Sequence, residues 1–422
     1  MSAQTLKKFI LLGSLYLSQF MPFWFLSQGL PVIFREKGMS LEAIGFLPVL
    51  LLPIAFKFLW APLIDFYGFT RWGHYRFWIF CFQLSVVTFT VVCSFLSVET
   101  HLVWLLVGMT AIAIASSSQD IATDALALGL LKPKERGAGN AVQGIGGSIG
   151  RAIGGGGMLI LLSRWGWTAS LLTLALMMVV ALIPLFFHRE TVPSRSRRSR
   201  PKTPILSRAI AHIKTLTDSC QRPGIRSWLG VLALATVGYN LAATMFRPLL
   251  VDIGLSLEDI GWLMGIFGMI MTVLGSLAAG FSIPKLGRKR SLLLSLTLTA
   301  IAILTQLLPT FGLTQLPVLY AIVSLSFFSV GIMATTSFTI MMDKSRQEMA
   351  GTDYTIQTSV IPLCSIISAA LSGLLAGAIG YRGVFLLGAG LTIACIVLAI
   401  EYLKIFEVDR SILDKRDRVS EY

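Results

Sequence analysis

The 422-residue chain is 55% hydrophobic and only 13% charged, with a mean hydropathy of +0.76 and a formal charge of +14. So little charge cannot cover a water-soluble domain of this size, which excludes a soluble globular protein. With the N-terminus inside, 28 of the 35 Lys and Arg fall on one side of a membrane, five on the other (Arg35, Lys37, Arg164, Arg247, Arg382) and two within apolar segments (Lys57, Arg151); this positive-inside pattern excludes a nucleic-acid footprint.

Apolar segments of roughly 20 residues, each long enough to cross a hydrocarbon core of about 30 Å, recur from end to end. Twelve spans are predicted at about 9–33, 42–65, 75–98, 101–128, 137–163, 166–188, 226–250, 259–283, 290–310, 314–343, 350–379 and 382–405. The fold class is all-α and polytopic. The first span is too long for a signal h-region and keeps its polar residues, so no cleavable signal is expected. Five cysteines stand singly and four histidines form no cluster, which signals neither a disulfide framework nor a structural metal.

In span 2, Phe56 to Asp65 place Lys57 inside an apolar run that ends in an acid and a turn. An ionisable side chain carried through hydrocarbon costs several kcal/mol unless it faces a partner or a wet cavity. Lys57 lies eight residues before Asp65, roughly 12 Å along a helix. It either pairs with an acid at that depth or snorkels to the interface along its methylenes.

Span 4 carries Asp120 and Asp124, four apart and so on one face, with Gln119 beside them. Asp120 suits a proton-coupling site or a buried structural pair, with Lys57 as its natural counter-charge. Arg151, about fourteen residues into span 5, lies near the midplane. It stays charged and can grip a carboxylate or phosphate with two parallel bonds, so an anionic substrate or an acid partner is expected. Around it Gly146, Gly150 and Gly154 recur at four-residue spacing, which lets helices approach closely, and Gly373 and Gly377 repeat the idea in span 11. No strand precedes either group and no phosphate-binding Gly-Lys loop occurs, so dinucleotide binding and ATP-driven pumping are not signalled.

The chain contains itself twice. Gly38-Met-Ser-Leu-Glu-Ala-Ile-Gly-Phe-Leu47 recurs as Gly254-Leu-Ser-Leu-Glu-Asp-Ile-Gly-Trp-Leu263, with Ser40 and Ser256 at N-cap positions. Ser116 to Asp124 of span 4 aligns without gaps to Thr335 to Asp343 of span 10. Asp124 therefore has a twin in Asp343, which suggests a shared scaffold duty, whereas Thr339 occupies the place of Asp120. Two six-helix bundles, 1–188 and 226–405, are expected as parallel repeats, with a basic cytoplasmic linker at 189–225 lying against anionic headgroups and a tail at 406–422.

Twelve spans in two halves, a basic middle loop and a short charged turn after span 2 of each half resemble the major facilitator superfamily. The turn Gly280-Phe-Ser-Ile-Pro-Lys-Leu-Gly-Arg-Lys-Arg290 looks like that family's Gly-x-x-x-Asp-Arg-x-Gly-Arg-Arg loop, with Pro284 in place of the acid. The first half keeps the acid as Asp65, but not the Arg-x-Gly-Arg continuation. Lys57-Phe-Leu-Trp-Ala-Pro-Leu-Ile-Asp65, Ser118-Gln-Asp-Ile-Ala-Thr-Asp124 and Glu135-Arg-Gly-Ala-Gly139 look like the muropeptide-permease and acetyl-CoA-transporter branch. Gln28-Gly-Leu-Pro-Val32 with Lys57-Phe-Leu-Trp-Ala-Pro62 looks still more like the siderophore importers of the RhtX/FptX type.

The resemblance implies a proton-coupled secondary active transporter of the bacterial inner membrane with both termini cytoplasmic. It would import a siderophore or its metal complex by alternating access, as a monomer without cofactor, in contact only with substrate, protons and lipid. The alternatives are a muropeptide or acetyl-CoA-type permease and a proton-antiport exporter. The resemblance further implies a cavity between spans 1, 4, 7 and 10, with contributions from 5 and 11. Tyr16, Gln19, Trp24, Gln28, Gln119, Gln143, Arg151, Tyr239, Asn240, Arg247 and Gln357 would line it. Aromatic rings with amides and one or two cations suit a bulky anionic ligand. Trp24 and Arg247 also fit an outer-interface role. Asp65, Arg136, Asp124, Asp343 and Asp353 would latch the cytoplasmic side, where Asp353 also suits a helix N-terminus. A receptor or a membrane-embedded enzyme is the reading from another class, and no nucleophile and base pair supports the enzyme.

Overall fold

The computed structural model describes residues 3–30, 33–34, 47–67, 73–188, 190, 216–222, 224–255 and 257–419, and the elements among them are helical throughout. Arg35, Lys37, Ser40, Ser256, the first copy of the repeated segment up to residue 46, residues 68–72 and most of the expected linker at 189–225 (189, 191–215 and 223) lie outside the described residues. So do the side chains of Gln28 and of 402–422.

Among the described residues, eight helical stretches are long and apolar enough to cross a membrane. Three of them, Arg136–Phe187, Gly261–Phe311 and Gln347–Glu401, run 51 to 55 residues, more than twice what one crossing needs. Each is broken by a glycine with positive φ, at Gly166, Gly287 and Gly380, a backbone state in which a Cβ would collide with the following carbonyl. Each therefore supplies two spans.

Span 2 is the exception. It is a short 3₁₀ turn Leu47–Leu51, the helix Leu52–Phe56, a second 3₁₀ turn Lys57–Leu59 and the helix Ala61–Phe66. Pro53 and Pro62 sit at the first turns of the two helical pieces. There the missing N–H costs nothing locally but removes a bond to the turn before, so the span breaks around Lys57.

Two compact units emerge. The first holds Met1–Thr217 together with Met342–Ser359, and the second holds Asp218–Met341 and Val360–Tyr422. In the first, spans 1 and 5 approach through glycines. A Cβ on Gly154 would lie 2.1 Å from the Met21 carbonyl oxygen, and one on Gly150 would meet Phe20 at 2.6 Å. Backbones come this close only where side chains are absent, and lipid-embedded helices gain their packing energy this way. In the second unit Gly275 and Gly331 do the same for spans 8 and 10, against Phe328 and Thr272 carbonyls, each at 2.1 Å. Gly373 and Gly377 correct the expectation for span 11. Among the described residues nothing lies within 4 Å of a Cβ on either, so they make no close crossing there.

The sequence repeat has a backbone counterpart. The positive-φ glycines Gly73 and Gly166 of the first unit recur at Gly287 and Gly380 of the second, 214 residues on in both cases. The residues just after Gly166 and Gly380 also anchor alike. Trp167 and Thr168 donate to the Cys93 and Ser94 carbonyls at 3.0 and 2.8 Å, while Arg382 donates to the Thr310 hydroxyl and carbonyl.

Candidate functional site

The break in span 2 determines where Lys57 points. Its neighbours Phe56 (φ −99°, ψ 5°) and Trp60 (φ −114°, ψ 0°) leave helical geometry. The tighter 3₁₀ turn between them buries Lys57 rather than letting it run along the helix surface to the interface. Its ammonium forms an ion pair with Asp120 Oδ2, and the Gln19 amide donates to Asp120 Oδ1. The Trp60 indole N–H donates to Ser118 Oγ at 3.0 Å, two residues before Asp120 on the same helix, and fixes the Ala61–Phe66 piece of span 2. Spans 1, 2 and 4 thus converge on one carboxylate, and snorkelling is not what Lys57 does.

Asp124 lies one turn beyond Asp120 and is 1% exposed. The Tyr16 hydroxyl donates to its Oδ1 at 2.9 Å. Tyr354, fully buried, stands beside Gln143 and near both acids. Tyr16, Gln19, Lys57, Asp120, Asp124, Gln143 and Tyr354 are thereby gathered in the first unit. Gln19 Oε1 and Gln143 Oε1 are buried and accept no hydrogen bond there. Gln119 is turned away: about 100° round the helix from Asp120, it donates to Ser18 Oγ at 3.5 Å. Ser18 donates to Gln83, and Gln83 to the Met178 carbonyl, a buried chain that ties spans 1, 3, 4 and 6.

Arg151 sits apart from that cluster and is exposed. Its guanidinium lies 4.0 Å from the ring centre of Trp24, a cation held over an aromatic face. Both residues close an α-helical stretch just where it widens into a π-helix, Phe25–Gly29 in span 1 and Ala152–Gly157 in span 5. Such bulges are costly to keep and frequent at functional sites.

A second polar cluster belongs to the same unit, at the start of span 11. Asp65 accepts from the backbone N–H groups of Gly351 and Thr352 at 3.0 and 2.7 Å, from the Thr352 hydroxyl at 2.6 Å and from the Tyr75 hydroxyl at 2.9 Å. The carboxylate thus caps a helix N-terminus supplied by a distant part of the chain. Arg136 pairs with Asp343 at 2.6 Å. Arg346 grips Asp353 with two side-chain bonds of 2.8 Å each, and Gln357 donates to Ser345 Oγ at 3.1 Å. Gln357 is accordingly placed with this cluster rather than with Asp120. The twins Asp124 and Asp343 also part company, the first buried on a hydroxyl and the second in a partly exposed ion pair.

Nearby, the Lys8 ammonium closes the end of span 4, donating to the Leu130 carbonyl at 2.7 Å and to Glu135 at 3.0 Å. Burial works against the Glu135 carboxylate, but the Lys132 amide, Lys8 and the Thr5 hydroxyl together hold its pKa below the ordinary glutamate value.

Tyr239, Asn240 and Arg247 are carried by the second unit. Asn240 donates to the Thr236 carbonyl and Ser365 Oγ at 2.9 and 3.2 Å, and Arg247 is exposed. Thr352 and Tyr75 carry no mark in the sequence as site residues. Their partners lie from 10 residues away, for Tyr75, to 287, for Thr352, and no local pattern announces them.

The sequence profile of the Major Facilitator Superfamily matches residues 12–363 and 233–417. An uncharacterised protein of Haemophilus influenzae is 29% identical over 376 residues, covering 86% of this chain and 87% of its own length. The anhydromuropeptide permease of Escherichia coli K12 is 29% identical over 263 residues, 61% of this chain and 52% of the permease, so the chain spans about half of that relative. A putative transporter of Rickettsia felis named AmpG 4 is 24% identical over 87% of this chain and 89% of its own. Among solved structures, an outward-facing bacterial homologue of the iron transporter ferroportin superposes with a TM-score of 0.68 at 16% identity, over 94% of this chain and 99% of its own. The human organic anion transporter MFSD10 gives the same score at 18% identity, over 94% and 100%. These likenesses show the fold.

Proposed function

Because the chain belongs to the Major Facilitator Superfamily, we propose that this multi-pass membrane transporter is a proton-coupled importer of muropeptide-class substrates. It works in the bacterial inner membrane with both termini cytoplasmic. The observation that carries the reading is the Lys57–Asp120 pair at the break in span 2, with Lys57 buried and Asp120 partly so. A buried ion pair is stable only while both charges are present, so one proton delivered to Asp120 frees Lys57 and changes what holds spans 2 and 4 together. Alternating access in this family then follows from rocking of the two halves, with the Asp65 and Arg136–Asp343 contacts made and broken in the cycle.

The substrate class is supported by the names of the permease relatives and by the Arg151–Trp24 pair. A muropeptide joins sugar rings to a peptide with free carboxylates. Trp24 offers a flat apolar face for a ring and Arg151 a bidentate grip on a carboxylate. A second reading, import of a ferric siderophore, is favoured by the Gln28 to Val32 and Lys57 to Pro62 motifs, though none of the named relatives carries that description.

The test is uptake of anhydromuropeptide and of a panel of ferric siderophores into proteoliposomes, with and without an inward proton gradient. Anhydromuropeptide accumulation that collapses with the gradient is expected, together with its loss in Asp120→Asn while binding is retained. Accumulation of an iron complex alone would select the second reading, and normal gradient-driven uptake by Asp120→Asn would remove the ion pair from the mechanism.

A further inference from the structure

Asp124 is a buried acid that the ion pair leaves unused. It is 1% exposed, accepts one hydrogen bond from Tyr16, and makes no ion pair among the described residues. Its counterpart in the sequence repeat, Asp343, is 26% exposed in its side chain and paired with Arg136. The same position thus has a cation and water access in one copy and neither in the other.

Among the described residues, the groups that face Asp124 are few. Tyr16 comes from span 1, Lys57 from span 2, Asp120 from its own helix and Tyr354 from span 11. Lys57 is the one cation in this set, and its ammonium bonds Asp120. Two carboxylates therefore share a single positive charge. A carboxylate left bare inside a membrane protein is strongly disfavoured, and a proton is the cheapest compensation available to it.

We infer that Asp124 holds an exchangeable proton in this conformation, so that Lys57, Asp120 and Asp124 form a neutral triad storing one proton. The assignment deepens the proton-coupled reading and rests on it for its role in transport. In the step it allows, the O–H bond on Asp124 breaks and one forms on Asp120. The negative charge passes to Asp124, the ammonium loses its first partner, and the total charge of the triad does not change. Tyr16 steadies both forms, since its hydroxyl can donate to a carboxylate or to the carbonyl oxygen of the neutral acid.

Charge counting makes the inference testable without any substrate. The full-length protein in lipid nanodiscs at neutral pH is examined by infrared spectroscopy for the carbonyl-stretch band of a protonated carboxylic acid, with deuterium exchange to identify it. Wild type should show one such group. Asp124→Asn and Asp120→Asn should each show none, because the remaining acid ionises against Lys57. Lys57→Gln should show two. Tyr16→Phe, a small change at a residue bonded to Asp124, should keep the band and move it to higher frequency by removing one hydrogen bond. No band in wild type, a band that survives Asp124→Asn, or one that ignores Tyr16→Phe overturns the assignment; the last readout stands if Asp124→Asn does not fold. Wild-type uptake that ignores a proton gradient would defeat the coupling reading alone, since the band reports the stored proton either way.

Discussion

Two alanine substitutions two residues apart in span 5 should have opposite effects. Gly154 is buried, and an added Cβ would sit 2.1 Å from the Met21 carbonyl oxygen and 2.9 Å from its carbon. A methyl needs well over 3 Å from either, so spans 1 and 5 must separate by about 1 Å or bend, an overpacking cost of roughly 1–3 kcal/mol. Gly156 is exposed, with nothing within 4 Å of its Cβ position. Replacing it removes only a flexible backbone and should stabilise by roughly 0.5–1 kcal/mol. Thermal unfolding of the purified protein in detergent measures both. Gly154→Ala should melt below wild type and Gly156→Ala at or above it. Because Arg151 and Trp24 flank the same crossing, Gly154→Ala should also weaken substrate binding. Equal melting temperatures for the two variants would refute the claim that span 1 packs on span 5 through Gly154.

Three further outcomes are expected. Asp65→Asn keeps the shape of the cap but not its charge, costs about 1–3 kcal/mol as charge-assisted bonds weaken, and should speed tryptic cleavage after Lys344 or Arg346; an unchanged cleavage rate counts against the cap. Arg151→Lys keeps the charge but loses the flat stack on Trp24, so KM for anhydromuropeptide should rise about tenfold with kcat held, matching 1–2 kcal/mol of cation–π and bidentate contact. Glu135 has a folded pKa below its unfolded one, so its clasp with Lys8 is present above the ordinary glutamate range, about pH 4.3, and is lost as pH falls through the folded value. Glu135→Gln should therefore flatten the stability curve between about pH 5 and pH 3 relative to wild type.

Much of this organisation could be read in the sequence because hydrocarbon is an unforgiving solvent. Apolar length announces the spans, loop charge suggests their direction, and an ionisable residue inside a span stands out against its surroundings, as Lys57, Asp120 and Arg151 do. Helical spacing was enough to put Asp120 and Asp124 on one face and the glycines of span 5 on another. It could not say which glycine face meets a neighbour, and Gly373 and Gly377 show the same spacing with nothing within 4 Å of a Cβ among the described residues. Nor could it predict that Asp65 would cap the helix at Gly351, 286 residues away. Such pairings are set by tertiary geometry, and a lone Thr or Tyr carries no local mark of its partner. The twin alignment of Asp124 with Asp343 misleads for the same reason. Aligned residues inherit a place on a helix, but their burial depends on what packs against it.

The break in span 2 joins these two levels. A continuous helix from 47 to 66 would hold Lys57 and Asp65 in one rigid rod, about 12 Å apart along its axis. Pro53 and Pro62 instead divide it, leaving the short rigid piece Ala61–Phe66 with Asp65 near its end and Lys57 in the 3₁₀ turn before it. That piece is held at one end by Trp60 on Ser118 and at the other by Asp65 on Gly351 and Thr352. Lys57 can therefore change its partner by adjusting a turn that is already irregular, without first melting a helix. On the proton-coupled reading, protonation at Asp120 would be felt at Asp65 as a tilt of one six-residue lever, and the loss of either anchor should uncouple proton entry from the contacts at the head of span 11.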